Sequence, residues 1–175
     1  MHNRKLIKVR QEKENINNFE EKIFFKDYQN DFVERVSLIN ENFEKSLAFG
    51  FRGSKLEFSK NVKNVIYGNL GKSNKTNIIY DEELMPFKES SLDLIMSFFN
   101  LHFANDVPGI LYQTLRSLKP NGLFIASMFC ENTLQELNYS FIKAEEEICG
   151  GMSPRVSPFA KLQALASLMQ EINFS

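Results

Sequence analysis

At 175 residues the chain has the length of one domain, and its 43% hydrophobic and 25% charged residues are those of a globular protein with a core. A net charge of -1 without a basic stripe argues against nucleic acid as a partner, and two cysteines and two histidines are too few for a disulfide framework or a His-rich metal centre. No apolar run approaches the roughly 18 residues of a membrane helix. The basic start (Arg4, Lys5, Lys8, Arg10) runs into Gln11-Glu12-Lys13-Glu14-Asn15 rather than an apolar signal core, so a cytoplasmic location is expected.

Residues 1–18 read as a polar N-terminal arm or helix, and residues 19–175 as a single domain. Between Phe19 and Asn40, Phe24, Tyr28, Phe32, Val36 and Ile39 recur at helical spacing. Ser46 to Phe49 is a short apolar run ending at Gly50, which suits a buried strand leaving for a turn. Val62 to Tyr67 and Ile78 to Tyr80 follow as strands, and Leu92 to Phe99 is a continuous apolar run of the kind a parallel strand buried on both faces requires. Asn105-Asp106-Val107-Pro108 signals a helix start, and Lys119-Pro120-Asn121-Gly122 its end, before a strand over Leu123 to Phe129. Thr133 and Glu136 have capping-box spacing for a helix reaching Cys149, where Gly150-Gly151 breaks it. Ser157-Pro158 opens a last helix from Ala160 to Gln170. Alternating strands and helices imply an α/β domain, a parallel sheet with helices on both faces.

Four fragments then occur in order: Asp81-Glu82-Glu83-Leu84-Met85-Pro86-Phe87, Leu92-Asp93-Leu94-Ile95, Asn100-Leu101-His102-Phe103 and Leu118-Lys119-Pro120-Asn121-Gly122. Together they resemble the second half of the Rossmann-like class I methyltransferases that depend on S-adenosylmethionine. A narrower resemblance rests on Ala126 to Phe129, Asn132 to Leu137, Ala144-Glu145 and Gly150-Gly151-Met152-Ser153-Pro154-Arg155-Val156-Ser157-Pro158-Phe159. These look like the α-proteobacterial and mitochondrial group related to the arginine hydroxylase of respiratory complex I assembly.

The resemblance implies S-adenosylmethionine as cofactor and a respiratory-complex subunit or a small-molecule acceptor as partner. It places cofactor-binding residues at Gly50 and Gly53 in the turn after strand one, Asn69 at the end of strand two, Asp81 and Glu82 after strand three, and Asn100 after strand four. No residue is assigned a catalytic role, and His102 is read as a packing residue.

Departures from the family pattern set the competing expectation. Ala48 stands where strand one usually carries an Asp, and Phe51-Arg52 interrupt the glycine turn. Asn69 replaces the acid that pairs with the ribose, and an amide cannot supply two charge-assisted bonds. The link from Leu70 to Asn77 is too short for a crossover helix, so either it is stripped to a loop or strands two and three are arranged differently. The C-terminal antiparallel strand pair of the family is expected to be lacking, which would expose strand five as an edge available for dimerisation. These features fit an alternative function, a non-catalytic binding or assembly protein built on the methyltransferase fold.

Overall fold

The computed structural model describes residues 2–16, 23–51, 56–58, 60–72, 76–151 and 153–174. The chain forms two compact units, Met1–Met128 and Phe129–Ser175, taken here in turn.

The first unit is built on a five-stranded parallel sheet of order β3-β2-β1-β4-β5. Its strands are β1 (Ser46–Phe49), β2 (Val65–Asn69), β3 (Ile78–Ile79), β4 (Leu92–Phe98) and β5 (Leu118–Ser127). All of β1 is buried, as is β4 except Asp93, because these apolar runs lie in the middle of the sheet with no polar face to present. Three helices accompany it: α1 (Arg4–Ile16), α2 (Ile23–Ser37) and α3 (Val107–Ser117). Phe32 and Val36 of α2 are buried, and the Phe32 ring meets those of Phe51 and Phe98 edge-on. At the start of α3 the Asp106 carboxylate accepts from the Gly109 amide, with Pro108 in the first turn, as the sequence indicates.

Strands two and three keep the family order, pairing Gly68 with Ile78 and Asn69 with Ile79, so the Leu70–Asn77 link is the element that has been stripped. Among its described residues none is helical. Asn77 closes it, its amide donating to the Tyr67 carbonyl at 2.8 Å and its side-chain oxygen accepting from the Tyr67 amide at 2.9 Å. The last strand begins at Leu118, not Leu123: Leu92 pairs with Leu118 and Leu94 already with Leu123, so Lys119 to Gly122 bulge out of the ladder. Asn121, at φ 63°, makes that bend.

Asp93 is the one partly exposed position of β4 and ties three strands together. One carboxylate oxygen accepts from Lys119 Nζ at 2.7 Å and the other from the Lys45 amide at 2.9 Å. Burial pushes its pKa upward, but the Lys119 bond and the backbone amides win and hold it below the ordinary aspartate value. A depressed carboxylate adds stability above its unfolded pKa and loses it as pH falls through the folded one. Asp93→Asn is therefore expected to cost about 1 kcal/mol at neutral pH, with the difference from the parent closing below the ordinary aspartate pKa. Urea unfolding at the two pH values checks this, and a gap that persists in acid would refute it.

The second unit carries α4 (Gln135–Cys149) and α5 (Leu162–Glu171), neither with a buried residue. The Thr133–Glu136 capping box does not form. The Thr133 amide donates to the Cys130 carbonyl at 2.9 Å, and Leu134, at φ 61°, stands at the helix start without a side-chain cap. Gly150 ends α4 in the left-handed conformation, at φ 66°, as a glycine past a helix end does. The segment beyond folds back because the Glu145 carboxylate accepts from the Ser153 amide at 2.6 Å and from Arg155 Nε at 2.5 Å. Those bonds, the Ser153 amide first, hold Glu145 below the ordinary glutamate pKa. The last helix starts at Leu162 rather than Ala160, where Glu131 accepts from the Leu162 amide at 3.0 Å. No strand follows β5 among the described residues.

Candidate functional site

In an open parallel sheet a ligand sits beyond the carboxyl ends of the strands, where the strand order reverses. That point lies between β1 and β4, and Gly50 and Asn100 are the residues that leave those two strands.

Gly50 has φ +78°, and a Cβ there would run into the Phe98 carbonyl oxygen and lie 2.6 Å from Asn100 Cβ. Only glycine fits. Phe51, expected from the sequence to interrupt the turn, instead points inward: it is buried and its ring stacks on Phe98 with centroids 5.0 Å apart. Gly53 and Arg52 lie outside the described residues.

Asn69 serves the turn itself. Its Oδ1 accepts from the Gly50 amide at 3.0 Å and its Nδ2 donates to the Phe51 carbonyl at 3.2 Å. A carboxylate could make only the first of these bonds, so the amide is the better staple for this turn. Both ends of the side chain are thus spent on the backbone.

After β4 the chain turns sharply at Phe99, a bulky residue at φ 42°, a conformation that costs free energy. Its amide donates to the Ser127 carbonyl at 2.9 Å, and its ring lies edge-on to Phe98 at 4.8 Å and to Tyr28 at 5.6 Å. The turn sends Asn100 inward, where it is 2% exposed. Asn100 Nδ2 donates to Glu82 Oε1 at 2.8 Å, while its Oδ1 is buried without a hydrogen-bond partner among the described residues. Sequence placed Asn100 and Glu82 in one site, and the structure joins them across 18 positions. His102 sits in a 3-10 turn over Leu101–Phe103, its ring 4.1 Å from that of Phe103.

The acids after β3 are not a solvated loop. Arg4, from α1, donates through Nη2 to Asp81 at 2.6 Å and to Glu82 at 2.8 Å, and through Nε to the second Asp81 oxygen at 3.3 Å. Glu83 lies 3.9 Å from Nη1, which also donates to the Phe103 carbonyl. Burial opposes the guanidinium charge, but the bonds to Asp81 and Glu82 outweigh it and raise the Arg4 pKa. Beside this cluster the Tyr80 phenol is pushed up by burial first and by Glu82 second. Arg4 is a member of the site that sequence reading did not identify. The available signal was three successive carboxylates, Asp81 to Glu83, with Lys88 the one cation of their loop; nothing local says which distant residue answers them.

Residues 40–126 match the family model described as methyltransferase domain. The chain has the class I methyltransferase fold. It is similar to the arginine-hydroxylase NDUFAF5, mitochondrial, of Mus musculus, 43% identical over 99 residues. That alignment covers 57% of this chain and 29% of the mouse protein, so the chain spans less than a third of that relative's length. Among solved structures, a SAM-dependent methyltransferase of Thermotoga maritima superposes with TM-score 0.60 at 16% identity, covering 91% of this chain and 78% of that one. Phosphoethanolamine N-methyltransferase 2 of Haemonchus contortus, solved with S-adenosylhomocysteine, gives TM-score 0.60 at 16% identity over 84% of this chain and 37% of its own. These likenesses confirm the fold read from the sequence.

S-adenosylmethionine is the cofactor to which this domain family points, and the residues present suit it. Its methionyl ammonium and adenine amine are hydrogen-bond donors, and among the described residues Asn100 Oδ1, set against the glycine turn, is a buried acceptor without a partner. Asp81 and Glu82 are further acceptors, now answered by Arg4.

Proposed function

We propose that this domain binds S-adenosylmethionine along the carboxyl edge of β1 to β4 and supports group transfer to a bound acceptor. The observation that carries the reading is Asn100: a buried amide whose oxygen has no hydrogen-bond partner among the described residues, held beside a turn only glycine can make. Gly50 would let the cofactor approach the backbone, Asn100 would accept from it, and Asp81 or Glu82 would read its adenosine portion. The bound sulfonium supplies an activated methyl group. The protein's task is then to hold an acceptor in line with it, which asks little of acids and bases.

The relatives support one acceptor class. The kinship with an arginine hydroxylase, together with the Gly150 to Phe159 segment, supports a protein side chain on a respiratory-complex subunit over a small-molecule acceptor. Among the described residues no helix is long and apolar enough to cross a membrane. β5 pairs with β4 alone, so its outer edge could pair with a second copy; a concentration-independent monomer in sedimentation would dismiss that dimer.

A second reading, a non-catalytic assembly protein, is favoured by Asn69, whose two polar ends are consumed by the turn instead of facing a ribose. Calorimetric titration separates the two. Micromolar binding of S-adenosylmethionine is the expected result, whereas no heat and no thermal shift at millimolar ligand would leave the assembly protein standing.

A further inference from the structure

Helix α1 runs across the edge at which the site opens. The His2 amide donates to Asn105 Oδ1 and Asn105 Nδ2 to the His2 carbonyl, fixing the start of the chain beside the segment that follows β4. Two residues on, Arg4 holds the acids that follow β3. Further along, Gln11 Oε1 accepts from the Gly71 amide at 3.0 Å, beyond the end of β2. Gly71 is pressed close enough that a Cβ would lie 3.0 Å from Gln11 Cβ and 3.1 Å from the Lys8 carbonyl. The helix thus meets in succession the loops leaving β4, β3 and β2, all on the ligand side of the sheet.

What holds α1 there is mostly polar. From Arg4 to Lys13 only Ile7 and Gln11 are buried, while Leu6 and Val9 face outward. An element held by few apolar contacts and several partly exposed polar ones opens at low cost. Its contacts are also the wrong ones for a site at rest. Arg4 covers both oxygens of Asp81 and one of Glu82, and the other Glu82 oxygen is taken by Asn100. Every oxygen of the pair already accepts a bond, three of the four from Arg4, so a ligand donor arriving here competes with the guanidinium.

We propose that α1 is a strap that closes the cofactor site, with Arg4 competing with the cofactor for Asp81 and Glu82. The proposal rests on the cofactor reading above. Binding then requires Arg4 to release the acids, and the measured affinity is the intrinsic one reduced by the fraction of molecules in which the strap is open. This makes the N-terminal segment, rather than the glycine turn, the element that sets cofactor affinity.

The test uses the whole chain and three variants, Arg4→Gln, Arg4→Lys and Gln11→Ala, with S-adenosylhomocysteine as probe. Calorimetry measures affinity, and hydrogen exchange measures protection of the α1 amides with and without the probe. Gln11→Ala loosens the strap at the far end without touching the acids. Arg4→Lys keeps the charge but loses the two-pronged grip, which guards against an Arg4→Gln protein weakened by unanswered acids. The expected result is about tenfold tighter binding in Arg4→Gln and Gln11→Ala, an intermediate value in Arg4→Lys, and loss of α1 protection when the probe binds to the parent. Equal affinity in all four proteins, weaker binding in the variants, or unchanged or increased α1 protection on binding would overturn the strap while leaving the cofactor reading intact. Absence of binding in all four would remove the cofactor reading, and the competition with it.

Discussion

Gly50→Ala is expected to destabilise the fold by about 3–5 kcal/mol, the range reserved for the most damaging single substitutions. Two penalties combine. The backbone sits at φ +78°, which costs an L-residue roughly 1–2 kcal/mol. The new methyl group would also press on the Phe98 carbonyl oxygen and on Asn100 Cβ, and neither is the free end of a flexible side chain. Phe98 is on a buried central strand and Asn100 is locked to Glu82, so relief must come from the turn itself. Moving the turn breaks the Gly50 bond to Asn69. Urea unfolding monitored by circular dichroism measures the loss, and a change within about 0.5 kcal/mol, as at an ordinary surface position, would contradict the geometry described for this turn.

The parts of the structure that were legible in the sequence are those decided locally. β1 and β4 are apolar runs without alternation, and burial on both faces leaves them no other reading. The start of α3 is written in Asp106 and Pro108, neighbours in the chain. Lys119 to Gly122 carries equally strong stop signals, yet the strand begins before it, because Leu118 finds a partner in Leu92 that no local pattern announces. The Thr133–Glu136 spacing fails for the same reason in reverse: a turn closed onto Cys130 takes the Thr133 amide and moves the start of α4 past it.

The candidate site shows the same division. Gly50 was legible because a glycine after a buried strand has few other uses. Asn69 was legible as the end of strand two but not in the contacts it makes. Measured against a ribose-binding carboxylate it looks like a loss, whereas its two bonds to Gly50 and Phe51 show a residue suited to fixing the turn. Arg4 was illegible altogether, since 77 positions separate it from Asp81 and a basic residue in a polar helix has many harmless readings.

The aromatic floor beneath the turn gives the second large effect. Phe98→Ala is expected to cost about 3–5 kcal/mol, as truncation of a fully buried phenylalanine does. Phe98 is 1% exposed and touches three other rings: Phe51 stacked beneath the turn, Phe99 at the bend toward Asn100, and Phe32 from α2. Its removal therefore loosens both chain segments that frame the site. The Phe51 carbonyl is the acceptor for Asn69, and the strained Phe99 is what aims Asn100 inward. A comparison with Ile95→Ala isolates this second role. Ile95 is wholly buried three pairings earlier on the approach to the same end of the sheet, between Leu47 and Phe124, and its truncation should cost about 2–5 kcal/mol. Both variants should unfold at lower urea, but only Phe98→Ala should also weaken S-adenosylhomocysteine binding at temperatures where each protein is still folded. Equal affinities in the two folded variants would mean that the ring cluster supports the sheet and not the site.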